Sequence, residues 1–531
     1  MKKTISILLS VLIIALLTMT ACETKSLPEE EILESSEQAT TTVAPTVTTK
    51  APETTEPLPL QYVITYTAKH GELTLRVDTV TKTPEEQSTY TAPEIQGYKF
   101  IGWADGITTP NRTDTLSEET ITLVVNYEIE YLDMPIVIIN TEEYQDITSK
   151  ETYVDCSISI VNTEEEYCMD SASAGIRGRG NSTWAFDKKP YRIKFDNKQS
   201  LFGSSYKQKS WTLLANYVDK SLSRNSIAYE LGEHLDGIDF TSMHQFVEVF
   251  LNGEYRGVYI LCDQIQTGTG RVDIDEDLYD DGNTGYLIEL DDRAPMEGIL
   301  NQDYFTLGGH HYAIKTPDTE DEGYDPAVYI PFIQSYLQQC LDALNGSDWN
   351  TINLLMDIDS FVDAYIVIEL FSNPDCGFSS FYMHKDRNGK LFCGPLWDFD
   401  IGAGNNTEAL GGIYEKEWNP DAPLYATYNP WFEALFNHPQ FRELVIHRLE
   451  GSKDTILSVI DYLNPVNEDG YYANYGRSFE RNFGRWTVLE LPLWNNTEMI
   501  NSIHTVKGQQ IYLRDWLLTR YYFMLNEIRS L

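Results

Sequence analysis

Positive charge is what this sequence has least of. Only 39 lysines and arginines stand against 81 aspartates and glutamates, a net charge of −42 over 531 residues. A general nucleic-acid binder needs basic surface to neutralise phosphates, so that class is excluded. Long apolar runs are equally scarce: past residues 5–17, no stretch is long and apolar enough to span a bilayer. Cysteines number seven, with no CxxC and no His/Cys ligand spacing, which excludes a structural zinc site. Aromatics are plentiful. Thirty-four tyrosines and 12% aromatic residues argue for a globular body, and the length exceeds one ordinary domain.

The chain opens with Lys2 and Lys3, an apolar run over 5–17 and then Met19-Thr20-Ala21-Cys22. Basic, apolar and small-residue regions in that order make a secretory leader. The cysteine directly after Ala21 makes it resemble a bacterial lipoprotein signal, which implies a leader over 1–22, lipid on Cys22 and an extracytoplasmic protein held to the cell membrane by that lipid alone. The alternative is a plain secretory leader with an incidental cysteine. Residues 23–58, rich in Thr, Pro, Glu and Ser, bury too little to fold and read as a disordered stalk. Six cysteines remain for an exported body. Cys376 and Cys393 flank two aspartate motifs, where a bridge would pin them together; buried free thiols are the other reading.

Residues 60–130 read as a small β module, with alternating runs near 62–66, 73–77 and 121–125. Between them stand Gly97, Tyr98, Phe100, Gly102 and Trp103. This GY-F-GW core resembles the β-grasp repeats of the internalin B-repeat type, which implies a spacer or adhesion module with Tyr98 and Trp103 in its core.

A larger body runs from 132 to 531, organised around LFCGPLWDFDIGAGNN (391–406) and Asn373-Pro374-Asp375. The apolar run 391–397 predicts a buried strand delivering Asp398 and Asp400 on one face, since strand side chains alternate. Two like charges so placed favour a hard cation between them. The plainer reading is a strand-end turn in which the aspartates bond backbone amides. Upstream, the turn Arg177-Gly-Arg-Gly-Asn-Ser-Thr-Trp184 precedes a strand over 188–195, with Arg192 and Lys194 on one face. Glycine lets backbone approach a ligand and the two cations suit phosphate oxygens, although such turns are usually just hairpins. Helical spacing covers 219–235, capped by Asp219 or Ser221, and later 327–344, 358–371, 431–449, 452–463 and 509–528. An Asn252-Gly253 turn makes a hairpin of 246–265, and a second hairpin turns at 386–389. The fold class is therefore α+β: a β-rich lobe followed by a helical one, the outline of an atypical two-lobed kinase-like domain.

Taken together, GRGNSTW (178–184), KKPYRIKF (188–195), ANYVDKSLSRNSIAYEL (215–231), NGEYRGVYIL (252–261), GYLIELD (285–291), NPD (373–375) and GPLWDFD (394–400) resemble the CotH kinase family, the spore coat protein H family. The resemblance runs from about residue 135 to the end. It implies ATP with Mg²⁺ or Mn²⁺ and phosphate transfer to Ser/Thr hydroxyls of surface or secreted proteins. By position, Asp375 is implied as the catalytic aspartate and Asp398 as a metal ligand, with Asp400 as the second acid of that motif. Arg192, Lys194, Arg179 and Asn181 stand where the nucleotide phosphates approach, Lys194 being the preferred contact. One departure is visible: Ser379 and Ser380 stand where many members carry an asparagine. That keeps open a kinase-like binding or scaffold protein without catalysis, and a metal-dependent enzyme using another phosphate donor.

Overall fold

The computed structural model describes residues 60–115, 120–295, 304–346, 348–406, 419–494 and 496–531. The leader, Cys22 and the stalk lie outside the described residues. The first body is a four-stranded sheet in the order β2-β1-β6-β4, from β1 (Tyr62–His70), β2 (Leu73–Lys82), β4 (Tyr98–Trp103) and β6 (Thr120–Ile129). A separate ribbon of β3 (Gln87–Thr91) and β5 (Asn111–Thr115) brings Tyr90 flat against Tyr66, their centroids 3.7 Å apart. Trp103 and Tyr98 are buried there. This module does not hang free of the rest. It shares a core with Ile136, Phe250 and Tyr255, and the Tyr98 hydroxyl donates to Gly253 O at 2.7 Å. Gly97, at φ +82, lies so close to Phe250 that a Cβ would meet the ring at 2.7 Å, so a side chain there would force the two bodies apart.

Next comes a closed barrel of seven strands: β7 (Ile136–Thr141), β8 (Val154–Val161), β9 (Met169–Gly178), β10 (Tyr191–Gln199), β11 (Gln208–Leu214), β12 (His244–Leu251) and β13 (Glu254–Asp263). Its order is β10-β11-β13-β12-β7-β8-β9. Alternation decides which residues enter: Tyr191, Ile193 and Phe195 of β10 are buried inside, while Arg192 and Lys194 face out. Closure leaves no open edge.

The second core is larger and mixed. A five-stranded sheet runs β15-β16-β14-β17-β18, from β14 (Tyr286–Leu290), β15 (Tyr304–Leu307), β16 (His310–Thr316), β17 (Phe381–Lys385) and β18 (Leu391–Cys393). Around it stand α1 (Arg224–Glu233), α2 (Pro326–Asn345), α3 (Trp349–Leu355), α4 (Ile358–Leu370), α5 (Pro430–Phe436), α6 (Pro439–Gly451), α7 (Lys453–Ile460), α8 (Tyr471–Arg485), α9 (Glu498–Asn501) and α10 (Val506–Ser530). The α+β class is therefore observed. No helix among the described residues is long and apolar enough to cross a membrane.

Three expectations change in detail. The helix expected from 219 begins at Arg224, because the Asp219 carboxylate accepts from Ser221 N (3.0 Å) and Arg224 N (2.9 Å) and closes a turn first. The expected helix 431–449 is two, α5 and α6, separated at Asn437-His438, because Pro439 starts a new helix and cannot continue one. The strand expected over 391–397 stops at Cys393. Gly394 N still donates to Tyr382 O (2.9 Å), but Pro395 has no N–H to extend the ladder.

Candidate functional site

Because β18 ends early, Asp398 and Asp400 are not side by side on a strand. They sit in a turn whose shape is imposed from outside. Asp398 has left-handed backbone (φ +64), which aspartate tolerates better than most residues. Asn225 of α1 accepts Phe399 N at 2.7 Å, fixing the residue between the two acids. Arg224, fully buried and ion-paired to Asp219 at 2.5 Å, donates to Gly402 O (2.9 Å) and Ala403 O (3.2 Å). Asn405 donates to Asp400 O at 2.7 Å. The first turn of α1 thus grips the whole stretch 399–403.

Asp375 lies in the 3-10 turn Pro374–Gly377, and one side chain ties it to the other motif. Asn373 accepts Asp375 N (3.1 Å) through Oδ1 and donates to Asp398 O (3.0 Å) through Nδ2. Carboxylates 23 to 25 positions apart are thereby made neighbours electrically. Burial, then the charge of Asp398, pushes the Asp375 carboxyl up to about 7. The same two causes in the same order raise Asp400 well above the carboxylate range. The nearest relief is distant or partial: Arg293 acts on Asp375, Arg224 on Asp400, and Ser380 Oγ donates to Asp398 Oδ2 at 3.3 Å. Glu289 of β14, ion-paired to Lys315 at 2.8 Å, accepts Ser380 N and holds that loop.

Two carboxyls raised by desolvation and by the charge of Asp398 are short of a cation. Among the described residues no three of His, Cys, Asp or Glu gather closely enough to cage a metal by themselves. The arrangement fits the hard divalent ion that takes one or two carboxylates and completes its shell with water and phosphate oxygens. Asp398 and Asp400 are the residues that would hold it.

Across from these acids stands the outer face of the barrel. Arg179 lies over the Trp397 ring, 5.4 Å from its centroid, beside Asp398. Arg192 pairs directly with Arg177 on one side and Thr212 on the other. Arg177 rests over Tyr153 at 5.0 Å. Arg271, bound to Asp263 at 2.6 Å and to Ser210 O at 2.7 Å, comes from the loop after β13. Burial, with Arg177, Arg179 and Arg271 close by, draws the Arg192 guanidinium below its ordinary value. The Nε atoms of Arg177 and Arg192 and Nη1 of Arg271 are buried with no hydrogen-bond partner among the described residues. In a chain of net charge −42, Arg177, Arg179 and Arg192 gather on the outer side of the barrel, Arg177 and Arg192 with an unused donor each, and such a cluster suits an anion.

The sequence-derived candidates divide accordingly. Asp375, Asp398 and Asp400 are brought together, Arg179 lies over Trp397 beside them, and Arg192 lies next to Arg179. Lys194 is exposed and two residues, about 7 Å along the strand, farther from Arg179 than Arg192 is. Asn181 is exposed at the start of the 3-10 turn Ser182–Ala185, 3.5 Å from Lys150 Nζ. Lys188, from the same motif, is a buried peg donating to Val258 O and to Asn482 Oδ1 (2.9 Å); burial holds its amine well below the usual lysine range. Arg177 and Arg271, and the holding residues Asn225, Arg224 and Asn373, were not singled out from sequence. Arg177 had a visible signal, two residues from Arg179 on a strand; the others had none. The six described cysteines are free, so Cys376 and Cys393 remain separate thiols, both pushed up by burial.

Carboxylates gathered on turns and arginines gathered on strands thus characterise this α+β body. The model of the CotH kinase protein family matches residues 176–524, the larger part of the chain, and the chain belongs to that family. The matched segment begins inside β9, so three barrel strands start ahead of it. No curated protein matches the chain.

Proposed function

We propose that this protein is an exported, lipid-anchored atypical protein kinase that transfers phosphate from ATP to serine or threonine of surface or secreted proteins. The observation that carries the reading is the gathering of Asp375, Asp398 and Asp400, with Arg179 beside Asp398 and next to Arg177 and Arg192, whose Nε atoms lack an acceptor among the described residues. In this reading the barrel and the helical body act as the two lobes of a kinase-like domain. Family membership supports the phosphotransfer, and the leader ending at Cys22 supports export and anchoring.

Phosphoryl transfer asks little covalent work of the protein; positioning and charge neutralisation dominate. Arg179 and Arg192 hold phosphate oxygens, Arg192 through an Nε that has no other partner among the described residues, with Arg177 and Arg271 near them and Lys194 and Asn181 at the rim. A magnesium or manganese ion held by Asp398 and Asp400 supplies positive charge to those oxygens. Asp375, raised by burial and by Asp398, is poised to take the proton of the acceptor hydroxyl. Asn373 keeps Asp375 in reach by tying its amide to the carbonyl of Asp398.

A second reading has its own observation. Ser380 spends its hydroxyl on Asp398 at the position where many members place asparagine, which suits a kinase-like body that binds nucleotide without turning it over. One assay separates the two. The chain is incubated with labelled ATP, Mg²⁺ or Mn²⁺ and a Ser/Thr-bearing acceptor protein. Transfer that vanishes in Asp375→Asn and Asp398→Asn supports the kinase; a nucleotide-dependent rise in melting temperature without transfer supports the binding protein. No nucleotide or metal effect overturns both.

A further inference from the structure

Strand β2 is the outer strand of the small sheet. Its inner side is bonded to β1 along its length, and no strand among the described residues covers its outer side. Ten residues of uninterrupted edge, LTLRVDTVTK, contain no proline or glycine to blunt it. Such an edge is a template for another strand. Charged residues commonly forbid that pairing, and β2 carries Glu72 just ahead of it and Arg76, Asp78 and Lys82 within it. Their order gives the opposite result in the one register that both pairs the strand along nearly its whole length and opposes only unlike charges; centres at 74 and 80 are attractive too but pair half of it or less.

We propose that β2 is a self-complementary edge through which two copies of this chain join their small sheets, antiparallel and centred on Val77. In an antiparallel pair, residues set opposite each other share the same bonding parity, so a two-fold axis must fall on a residue. Within one copy Arg76 Nε already donates to Asp78 at 2.9 Å, and Tyr90 donates to the same carboxylate. Centred on Val77, each such pair lies opposite the other with Arg76 facing Asp78 of the second copy, so the two pairs form a four-group cluster, and Glu72 meets Lys82 twice. Shifting the centre to residue 76 sets Arg76 against itself. A centre at residue 78 does the same to Asp78. Centres at 75 and 79 oppose Asp78 to Glu72 and Arg76 to Lys82. Only one of these five registers has every opposed pair attractive. Val77 itself points away from the module core and is 53% exposed, so two of them meet on the open face of the joined sheets.

A single strand pair buries less than a stable dimer interface, so association is weak in dilute solution and grows where copies are concentrated. The pairing is independent of phosphate transfer.

The test uses position-specific cross-linking in the full chain, measured against the parent so that its native thiols are subtracted. Val77→Cys places a thiol opposite itself. Thr79→Cys, equally exposed, places one opposite Leu75 of the second copy. Under mild oxidation Val77→Cys should form disulfide-linked dimer about tenfold faster. Adding Arg76→Asp should slow it, and adding Asp78→Arg on top should restore the rate. Equal rates for the two cysteine variants, a faster Thr79→Cys, or neither exceeding the parent overturns the proposal, as does a charge swap that fails to rescue. Coverage of β2 by the chain's own leading segment would show as the last of the cysteine outcomes, with no dimer above the parent.

Discussion

The two walls of the site are built in opposite ways. The arginine wall stands on regular strands, where the ladder sets Arg177, Arg192 and Thr212 in one row without help from their side chains. The acidic wall stands on two turns, and its geometry depends on four buried polar side chains, Asn373, Asn225, Arg224 and Asn405, each bonded to backbone. Cations that repel weakly across a strand spacing can be placed by repetition. Carboxylates brought close enough to share an ion must be held against one another, and that takes a scaffold.

The sharpest way to break the comparison is to remove the acids. Asp375→Asn should lower phosphate transfer by about 10²–10⁴-fold if Asp375 is the general base. Asp398→Asn should abolish divalent-ion dependence. Neither variant should melt lower without metal, because each removes a repelling charge. A large loss of melting temperature would show that the acids are structural and that the site reading is mistaken.

The same repulsion makes stability depend on pH. Asp375 has a folded value near 7 and an ordinary unfolded value near 3.8. Its folded form therefore holds a proton that the unfolded chain has released. That contribution is fully present below about pH 4 and is lost as pH rises through 7. Between pH 5 and 8 the metal-free chain should lose up to about 2.7 kcal/mol from this group, at 1.36 kcal/mol per pH unit until the folded carboxyl itself ionises near 7, less where water reaches it. Calorimetry at the two pH values reads it. Added Mn²⁺ should recover most of the loss at pH 8, and a melting temperature indifferent to both pH and Mn²⁺ would mean that the carboxylates do not share a field.

How much of this was legible in the sequence follows from the same contrast. The face shared by Arg192 and Lys194, and the interior face of Tyr191, Ile193 and Phe195, follow from strand alternation alone. The Asn252-Gly253 hairpin is equally local. The WDFD stretch was visible as chemistry but not as shape: an apolar run reads as strand until Pro395 is weighed against it. Asn225 and Arg224 look like ordinary polar residues of an amphipathic helix; their task appears only when residues some 175 positions later fold beneath them. Barrel closure, through the parallel pair of β7 and β12, is a long-range pairing with no local mark.

The scaffold itself can be loosened without touching an acid. Asn225→Ala leaves Phe399 N buried and unpaired, a cost of about 1–3 kcal/mol. Because that amide lies between Asp398 and Asp400, Mn²⁺ affinity should fall with it, whereas an equally destabilising change far away should leave Mn²⁺ affinity unchanged.

The smallest effects are expected on the arginine wall, and they grade along it. Arg192→Met removes a buried guanidinium whose Nε has no other partner, so ATP affinity should drop about ten- to a hundredfold, the worth of a charge-assisted hydrogen bond. Lys194→Met removes an exposed ammonium one step farther out, where water competes and an ion pair is worth under about 1 kcal/mol, so the loss should be about fivefold or less. The two residues share a strand, a face and a charge; the family resemblance prefers Lys194, whereas the half-buried Arg192 beside Arg179 is the better placed in the structure. Titration of both variants with ATP decides between them. If Lys194→Met loses more than Arg192→Met, the phosphates lie toward the outer end of β10, and Arg179 over Trp397 is then too far along the strand to share them.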